Sequence, residues 1–345
     1  MKTLISALKY VATLAIAFFL LWLVYKEQDL RQIVDQLQYV DYQWVIYSLL
    51  IAVVSHVVRA YRWNLLIEPM GYRMKTSRTF LAVMVGYFAN LLVPRMGEVS
   101  RCAILKKTDN VRMTSSIGSV LAERVFDLSL LILVTFIAFM LEFRLLSQYI
   151  FGALESALVR ISRNLILIYI AGAAAAALGL AVFIWIRKHK NRLKHSRAFL
   201  KVRRLLRELA AGLTSIRRMK NLSGFIISSI AIWVCYYLMT YLVFFSLPET
   251  SHLGFVAGMS ALAMGSLGMI APVQGGIGAY HALVTGTLTF YGINEQTGAF
   301  FALLLHTSQV LMIVAVGGAS FAVSMLIKRK DARIGAEEEA ELVEK

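Results

Sequence analysis

Asn90 to Lys107 reads NLLVPRMGEVSRCAILKK. It follows an apolar stretch, FLAVMVGYFA over 80–89. A helix crossing a bilayer core of about 30 Å needs about 20 apolar residues, and the apolar run over 79–93 is shorter. Pro94 removes a backbone donor and Gly97 frees the chain conformationally. An acid and two arginines, Glu98, Arg95 and Arg101, arrive where a span should be completing its crossing. Either the chain leaves the membrane here or it turns back inside it, and that choice decides the topology.

The surrounding composition is that of an integral membrane protein. Hydrophobic residues make up 59% of 345 and charged residues 16%, and apolar runs near the length of a span recur. One polytopic membrane domain is expected over 1–330, without room for a large soluble catalytic domain. The N-terminal run MKTLISALKYVATLAIAFFLLWLVYKE has bulky Trp22, Leu23, Val24 and Tyr25 where a cleavage site would need small residues. It reads as a retained first span rather than a signal peptide. Cys102 and Cys235 lie in or near apolar segments, so neither a disulfide framework nor a metal cluster is expected. The net charge of +16 fits cytoplasmic loops facing anionic lipid better than nucleic acid.

Candidate spans are 4–25, 42–58, 79–93, 117–141, 164–186, 223–247, 253–271, 279–292 and 299–327. From Arg187 to Lys220 there are 13 Lys/Arg and one acid, Glu208. This basic loop, 187–222, is placed in the cytoplasm. Its apolar positions Val202, Leu205, Leu206, Leu209, Leu213 and Ile216 recur at helical spacing, which suggests an amphipathic helix on the inner leaflet. Lys2 and the KRK at 328–330 put both termini inside. Arg59, Arg62, Arg73, Lys75 and Arg78 put the loop after the second span inside. Residues 26–41, with four acids and two bases, belong outside.

Full crossing by 79–93 would carry the five Lys/Arg of 94–116 and then the basic loop to the outer face. The positive-inside bias rejects that. The chain therefore turns back over 79–105, and Pro94 and Gly97 with the short arm favour a re-entrant hairpin. The same counting makes 253–292 start and end outside around GMIAPVQGGIGAYHALV. GYFANLLVPRMGE (86–98) aligns with GSLGMIAPVQGG (265–276), Pro94 over Pro272 and Gly97 over Gly275. Each half reads span, span, broken hairpin, span, one beginning inside and the other outside. The expected fold is thus an all-α polytopic membrane protein of two inverted-topology repeats, about 1–145 and 160–327, each with a Pro/Gly-broken re-entrant hairpin. This is the pattern of a transporter with a midplane site. Trp22, Trp44, Trp63 and Trp185 lie near predicted span ends as an aromatic belt requires, whereas Trp233 is expected to be packed. The acidic tail 331–345 is expected to be disordered.

Four groups of residues could carry chemistry. In PRMGEVSR, a half-helix N-terminus offers N–H groups to an anion, and Arg95 and Arg101 can grip phosphate oxygens in pairs. Glu98 can orient an arginine or bind an amine. The plainer reading is a cytoplasmic loop whose arginines snorkel to headgroups. In SVLAERVFDLSLLIL, Glu123 and Asp127 share a helix face and Arg124 lies three residues from Asp127. Charges there are costly unless paired or wet, so a structural ion-pair network and a substrate role are both open. Arg59 and Arg62 read as an inner-face anchor or as an entrance that captures headgroups. In APVQGGIGAYHALV, Pro272, Gly275 and Gly276 make a turn, and Gln274 and His281 could reach a substrate; otherwise the glycines serve packing and His281 meets a carbonyl. His306 and Gln309 are expected to be satisfied core residues. No nucleotide-binding, zinc or nucleophile-elbow motif is present, so neither a cofactor, a metal nor enzyme activity is expected.

The blocks RAYRWNLL, GYFANLLVPRMGEVSRCAIL, SVLAERVFDLSLLIL and APVQGGIGAYHALV, in this order, resemble the lysylphosphatidylglycerol synthase transmembrane region, the flippase-like domain of multiple peptide resistance factors. The resemblance covers roughly 1–330 and implies a lipid-translocating membrane domain. In some members that domain is fused to an aminoacyl transferase, which no part of this sequence resembles, so lipid aminoacylation is not expected. Members often carry Glu where His281 falls, so a lysyl lipid is not assumed.

The expected function is movement of a phosphate-bearing lipid headgroup between leaflets of the plasma (bacterial inner) membrane. Arg95 and Arg101 would bind phosphate, Glu98, Glu123, Arg124 and Asp127 would pair and orient, and Gln274 and His281 would complete the site. The expected partners are membrane lipids of the anionic inner leaflet, not nucleic acid, with a homo-oligomer or a separate lipid-modifying enzyme left open. The alternatives are a transferase acting on a lipid-phosphate or polyprenyl-phosphate carrier, and a non-transporting scaffold docking through the basic loop.

Overall fold

The computed structural model describes residues 35–93, 95–143, 221–271 and 273–327, with Met219 and a few positions between 19 and 26. The chain divides into two compact units, residues 1–138 with 212–345, and residues 139–211. Of the second unit only 139–143 are described, and the site lies wholly in the first.

The described residues form α1 (Tyr42–Ile67), α2 (Thr76–Leu92), α3 (Gly97–Asp109), α4 (Met113–Leu141), α5 (Leu222–Phe244), α6 (Phe255–Ile270), α7 (Ala279–Phe290) and α8 (Glu295–Leu326). Four of these, α1, α4, α5 and α8, are long and apolar enough to cross a membrane. Between each long pair lies a pair of short helices. Three of the long helices start on an Asx cap. The side chain of Asp41 accepts from Gln43 N–H, Asn221 from Gly224 N–H and Asn294 from Thr297 N–H. Each cap satisfies a donor that the first turn leaves without a helical partner.

α2 ends where Val93 turns extended, and Arg95 adopts a left-handed backbone at φ 62°. α3 then runs back against α2. The Gly97 N–H donates to Asn90 Oδ1 at 2.6 Å. A Cβ on Gly86 would lie 2.9 Å from the Gly97 carbonyl oxygen, so the two arms meet backbone to backbone. In the second half α6 ends at Ile270, a 3-10 turn spans Gln274–Gly276, and α7 returns along α6. A Cβ on Gly268 would lie 2.7 Å from Tyr280 Cα. Apolar burial drives little association in lipid, so close backbone approach through small residues does this work. The expected turn residues Pro94 and Pro272 lie outside the described residues, whereas Gly97 opens α3 and Gly275 and Gly276 sit in the second break.

The halves interlock. α1 packs on α5, and α2 packs on both α1 and α8. The breaks touch as well: Gln274 Nε2 donates to the carbonyl oxygens of Leu91 and Leu92, the latter at 3.2 Å. These carbonyls end α2 and have no partner within it.

The expected spans 117–141, 223–247, 253–271, 279–292 and 299–327 coincide with α4 to α8 within a few residues. The span expected at 42–58 is longer, because α1 runs through Arg59 and Arg62 to Ile67. The charged residues that seemed to end it are paired inside the protein. Most of 4–25, all of 164–186, nearly all of the basic loop 187–222 and the tail 331–345 lie outside the described residues.

Candidate functional site

Three helices bring charge to one buried point, and a fourth adds neutral hydroxyl groups. α1 presents His56, Arg59, Arg62 and Trp63 at helical spacing, so they share one face. α3 contributes Glu98 and Arg101, one turn apart. α4 contributes Glu123, Arg124 and Asp127, and α5 contributes Ser229 and Tyr236. Glu123 stands ten residues beyond Met113, about 15 Å along α4 at 1.5 Å per residue.

Glu123 is the hub, and its side chain is fully buried. Its Oε1 accepts from Arg59 at 2.6 Å and Arg62 at 3.2 Å, and its Oε2 pairs with Arg101 at 2.8 Å. Asp127 pairs with Arg59 at 3.2 Å and Arg62 at 2.7 Å. Arg59 also donates to Tyr236 Oη at 2.7 Å and Arg62 to Ser229 Oγ at 3.2 Å. The Arg101 guanidinium lies 4.5 Å from the Trp63 ring centroid, and Trp63 Nε1 donates to Ser119 Oγ at 2.9 Å. Outside this knot, Arg124 Nε lies 3.9 Å from Glu98 Oε1. Among the described residues, four guanidiniums thus face three carboxylates, leaving one positive charge in excess. Buried charges persist only when paired in this way.

The knot forms one end of a cavity of about 500 Å³. His56, Arg59, Tyr87, Arg124 and Asp127 line its charged end. Leu128, Leu131, Trp233, Tyr236 and Met239 form a wall, and Gly265, Met269, Tyr280, His306 and Gln309 come from the second half. The buried His56 Nδ1 and Trp233 Nε1 have no hydrogen-bond partner among the described residues. A polar ligand in the cavity would find both beside it.

Several expected positions change. Arg59 and Arg62, expected at an entrance or inner-face anchor, are 4% and 0% exposed. Trp63, assigned to an aromatic belt, is buried against Arg101. Arg95 is exposed at the turn, and among the described residues no ion pair joins it to the knot. Arg101, Glu123, Arg124 and Asp127 converge as expected, with Glu98 at the margin. Gln274 and His281 do not line the cavity. Gln274 instead ties the two breaks together. His281 Nδ1 accepts from the Gly278 N–H at 3.2 Å as an N-terminal cap of α7. His306, expected to be a core residue, does line the cavity, with Nε2 donating to the Gly275 carbonyl at 3.0 Å and its ring stacked on Tyr280. Tyr87, Trp233 and Tyr236 were missed, because single aromatic residues in apolar helices carry no local signal of a cavity.

The Lysylphosphatidylglycerol synthase TM region family matches residues 10–317. A UPF0104 membrane protein of Methanothermobacter thermautotrophicus is 25% identical over 287 residues, covering 80% of this chain and 82% of that protein. A UPF0104 membrane protein of Methanocaldococcus jannaschii is 26% identical over 134 residues, 38% of this chain and 40% of that protein. The glycosyltransferase AglD of Haloferax volcanii is 31% identical over 101 residues, 29% of this chain but 16% of that protein. No solved structure matches. With four helices long and apolar enough to span a bilayer and a match over most of its length, the chain belongs to the lysylphosphatidylglycerol synthase TM region family and is a membrane protein.

Proposed function

We propose that this protein is a lipid flippase-like transporter that takes a phosphate-bearing headgroup into the cavity while the tails stay in the bilayer. The observation that carries the reading is the buried knot of arginines and carboxylates, one positive charge in excess, open to a cavity of about 500 Å³ lined by both halves. An anion entering there exchanges water for guanidinium partners and offsets that excess.

The architecture supports transport. α1 to α4 and α5 to α8 repeat the order long, short, short, long, and each element starts about 180 residues after its counterpart. With the positive-inside bias, the two halves have opposite orientation and their short helix pairs are re-entrant, with both termini cytoplasmic in a plasma membrane. Rocking of one repeat against the other alternates access to the knot. In this reading the chain is a transporter and not an enzyme, and its partners are membrane lipids.

The test is reconstitution in liposomes with headgroup-labelled anionic, zwitterionic and aminoacylated lipids. Exchange by the native protein, lost in a variant that keeps its thermal midpoint but carries Tyr236→Phe with Arg124→Gln, supports the reading. Absence of exchange with every lipid overturns it. Similarity to a glycosyltransferase over part of the chain favours one second reading, a transferase acting on a lipid-phosphate, for which turnover by the purified chain is the discriminating measurement.

A further inference from the structure

The arginines around the cavity are not equivalent. Arg59 spends its terminal nitrogens on Glu123, Asp127 and Tyr236, and Arg62 spends its own on Ser229, Glu123 and Asp127. Arg101 is held between Glu123 and the Trp63 ring. Drawing any of the three toward a ligand would strip a carboxylate that is buried with it, a large penalty.

Arg124 is different. Its side chain is 45% exposed, and its ion pair among the described residues is with Glu98, at 3.9 Å. That distance is beyond a hydrogen bond, so the pair lacks the directed contacts that Arg59 and Arg62 make. Arg124 and Tyr87 line the large cavity and also a second pocket of about 20 Å³, which Asn90, Gly97, Glu98 and Arg101 share. Glu98 Oε2 is buried without a hydrogen-bond partner among the described residues. The loosest cation of the site therefore stands where the two spaces adjoin, beside a carboxylate that is itself poorly satisfied.

We infer that Arg124 is the guanidinium that takes the ligand's phosphate, and that Glu98 holds the place of that phosphate in the empty protein. This rests on the reading of the cavity as an anion-headgroup site. The phosphate takes the place of the carboxylate on Arg124, its added charge offsets the one positive charge in excess, and the pairs of Arg59, Arg62 and Arg101 with Glu123 and Asp127 stay intact. A phosphate can engage the guanidinium fork through two oxygens, which the Glu98 carboxylate at its present distance does not. The ligand class is a phosphate ester whose apolar part lies against Leu128, Leu131 and Met239, although free phosphate shares the recognised chemistry.

The experiment is calorimetric titration of the full-length protein in detergent with dihexanoyl phosphatidylglycerol, inorganic phosphate and, as the phosphate-free arm, dihexanoylglycerol. The proteins are the native chain, Arg124→Gln, Glu98→Gln and the double variant. Arg124→Gln is expected to weaken phosphatidylglycerol binding by about tenfold or more, the loss of a charge-assisted pair. Glu98→Gln is expected to tighten it, and the double variant to match Arg124→Gln, because there is no competitor to remove once the guanidinium is gone. Thermal midpoints should stay close to native. Tighter binding of phosphatidylglycerol than of inorganic phosphate identifies a lipid headgroup as the source; equal binding of both, lost in Arg124→Gln, supports the same assignment with free phosphate as ligand. Unchanged affinity in Arg124→Gln overturns the inference. So does a Glu98→Gln variant weakened as much as Arg124→Gln, which would make the pair a positioning unit, and so does a native protein that binds neither phosphate compound. Leaflet exchange separates the two levels: the expected binding pattern without exchange overturns transport alone, and exchange with native affinity in Arg124→Gln overturns this assignment alone.

Discussion

The two broken hairpins solve the same problem by different means. α2 and α3 meet at Gly86 and Gly97, and α3 is also moored by Arg101 to Glu123. α6 and α7 carry no charged residue, and their contact runs through Gly265 and Gly268 against Tyr280. Both hairpins rest on close approach through glycine, and only the first adds buried ionic bonds. Ionic mooring is strong when complete and fragile when one partner is lost, whereas a glycine contact fails only when something is added. The asymmetry also explains why the charged end of the cavity belongs to the first half and a mostly uncharged wall to the second.

The largest expected effect breaks the ionic side. Glu123→Ala leaves three buried guanidiniums short of their shared carboxylate and should cost about 3–5 kcal/mol, read as a large fall in the thermal midpoint in detergent. Retention of a native midpoint would show that water reaches the knot and that its burial is overstated. On the glycine side, Gly268→Val forces a side chain into Tyr280 Cα at 2.7 Å and should cost about 1–3 kcal/mol by overpacking. The same measurement checks it, and a cost above that of Glu123→Ala would reverse the ranking of the two hairpins.

Gln274→Ala tests the bridge between them. It removes the donor shared by the Leu91 and Leu92 carbonyls and should cost about 1 kcal/mol. Faster exchange of backbone amides near the end of α2 should accompany it. The smallest effect is expected of Arg95→Ala, within about 0.5 kcal/mol, since an exposed residue outside any network contributes little. That variant replaces a left-handed arginine at φ 62°, so Arg95→Gly should be neutral or slightly stabilising by comparison. A loss of stability in Arg95→Ala as large as that of Gln274→Ala would mean that Arg95 holds the turn through a contact beyond the described residues.

Much of this was legible beforehand where the cause is local. The expected apolar runs fall on α4 to α8. The return of the chain after Leu92 followed from charge counting, and α3 packs back on α2. The grouping of Glu123 with Asp127 followed from helical spacing. Arg59 and Arg62 were misplaced for a physical reason: a charge in an apolar run ends a span unless a distant carboxylate neutralises it, and Glu123 lies more than sixty residues away in sequence. Gln274 and His281 were assigned to substrate because polar residues at a break suggest function, and each spends one side-chain nitrogen on backbone groups that the breaks expose.

The sequence by itself determined which segments are apolar enough to enter a bilayer and where they break, because these depend on length and hydropathy along the chain. Only the tertiary structure decided which charges are neutralised and which remain available. Arginines at 59, 62, 101 and 124 are chemically alike, and what separates three locked guanidiniums from one loose one is the set of partners that folding brings within 4 Å.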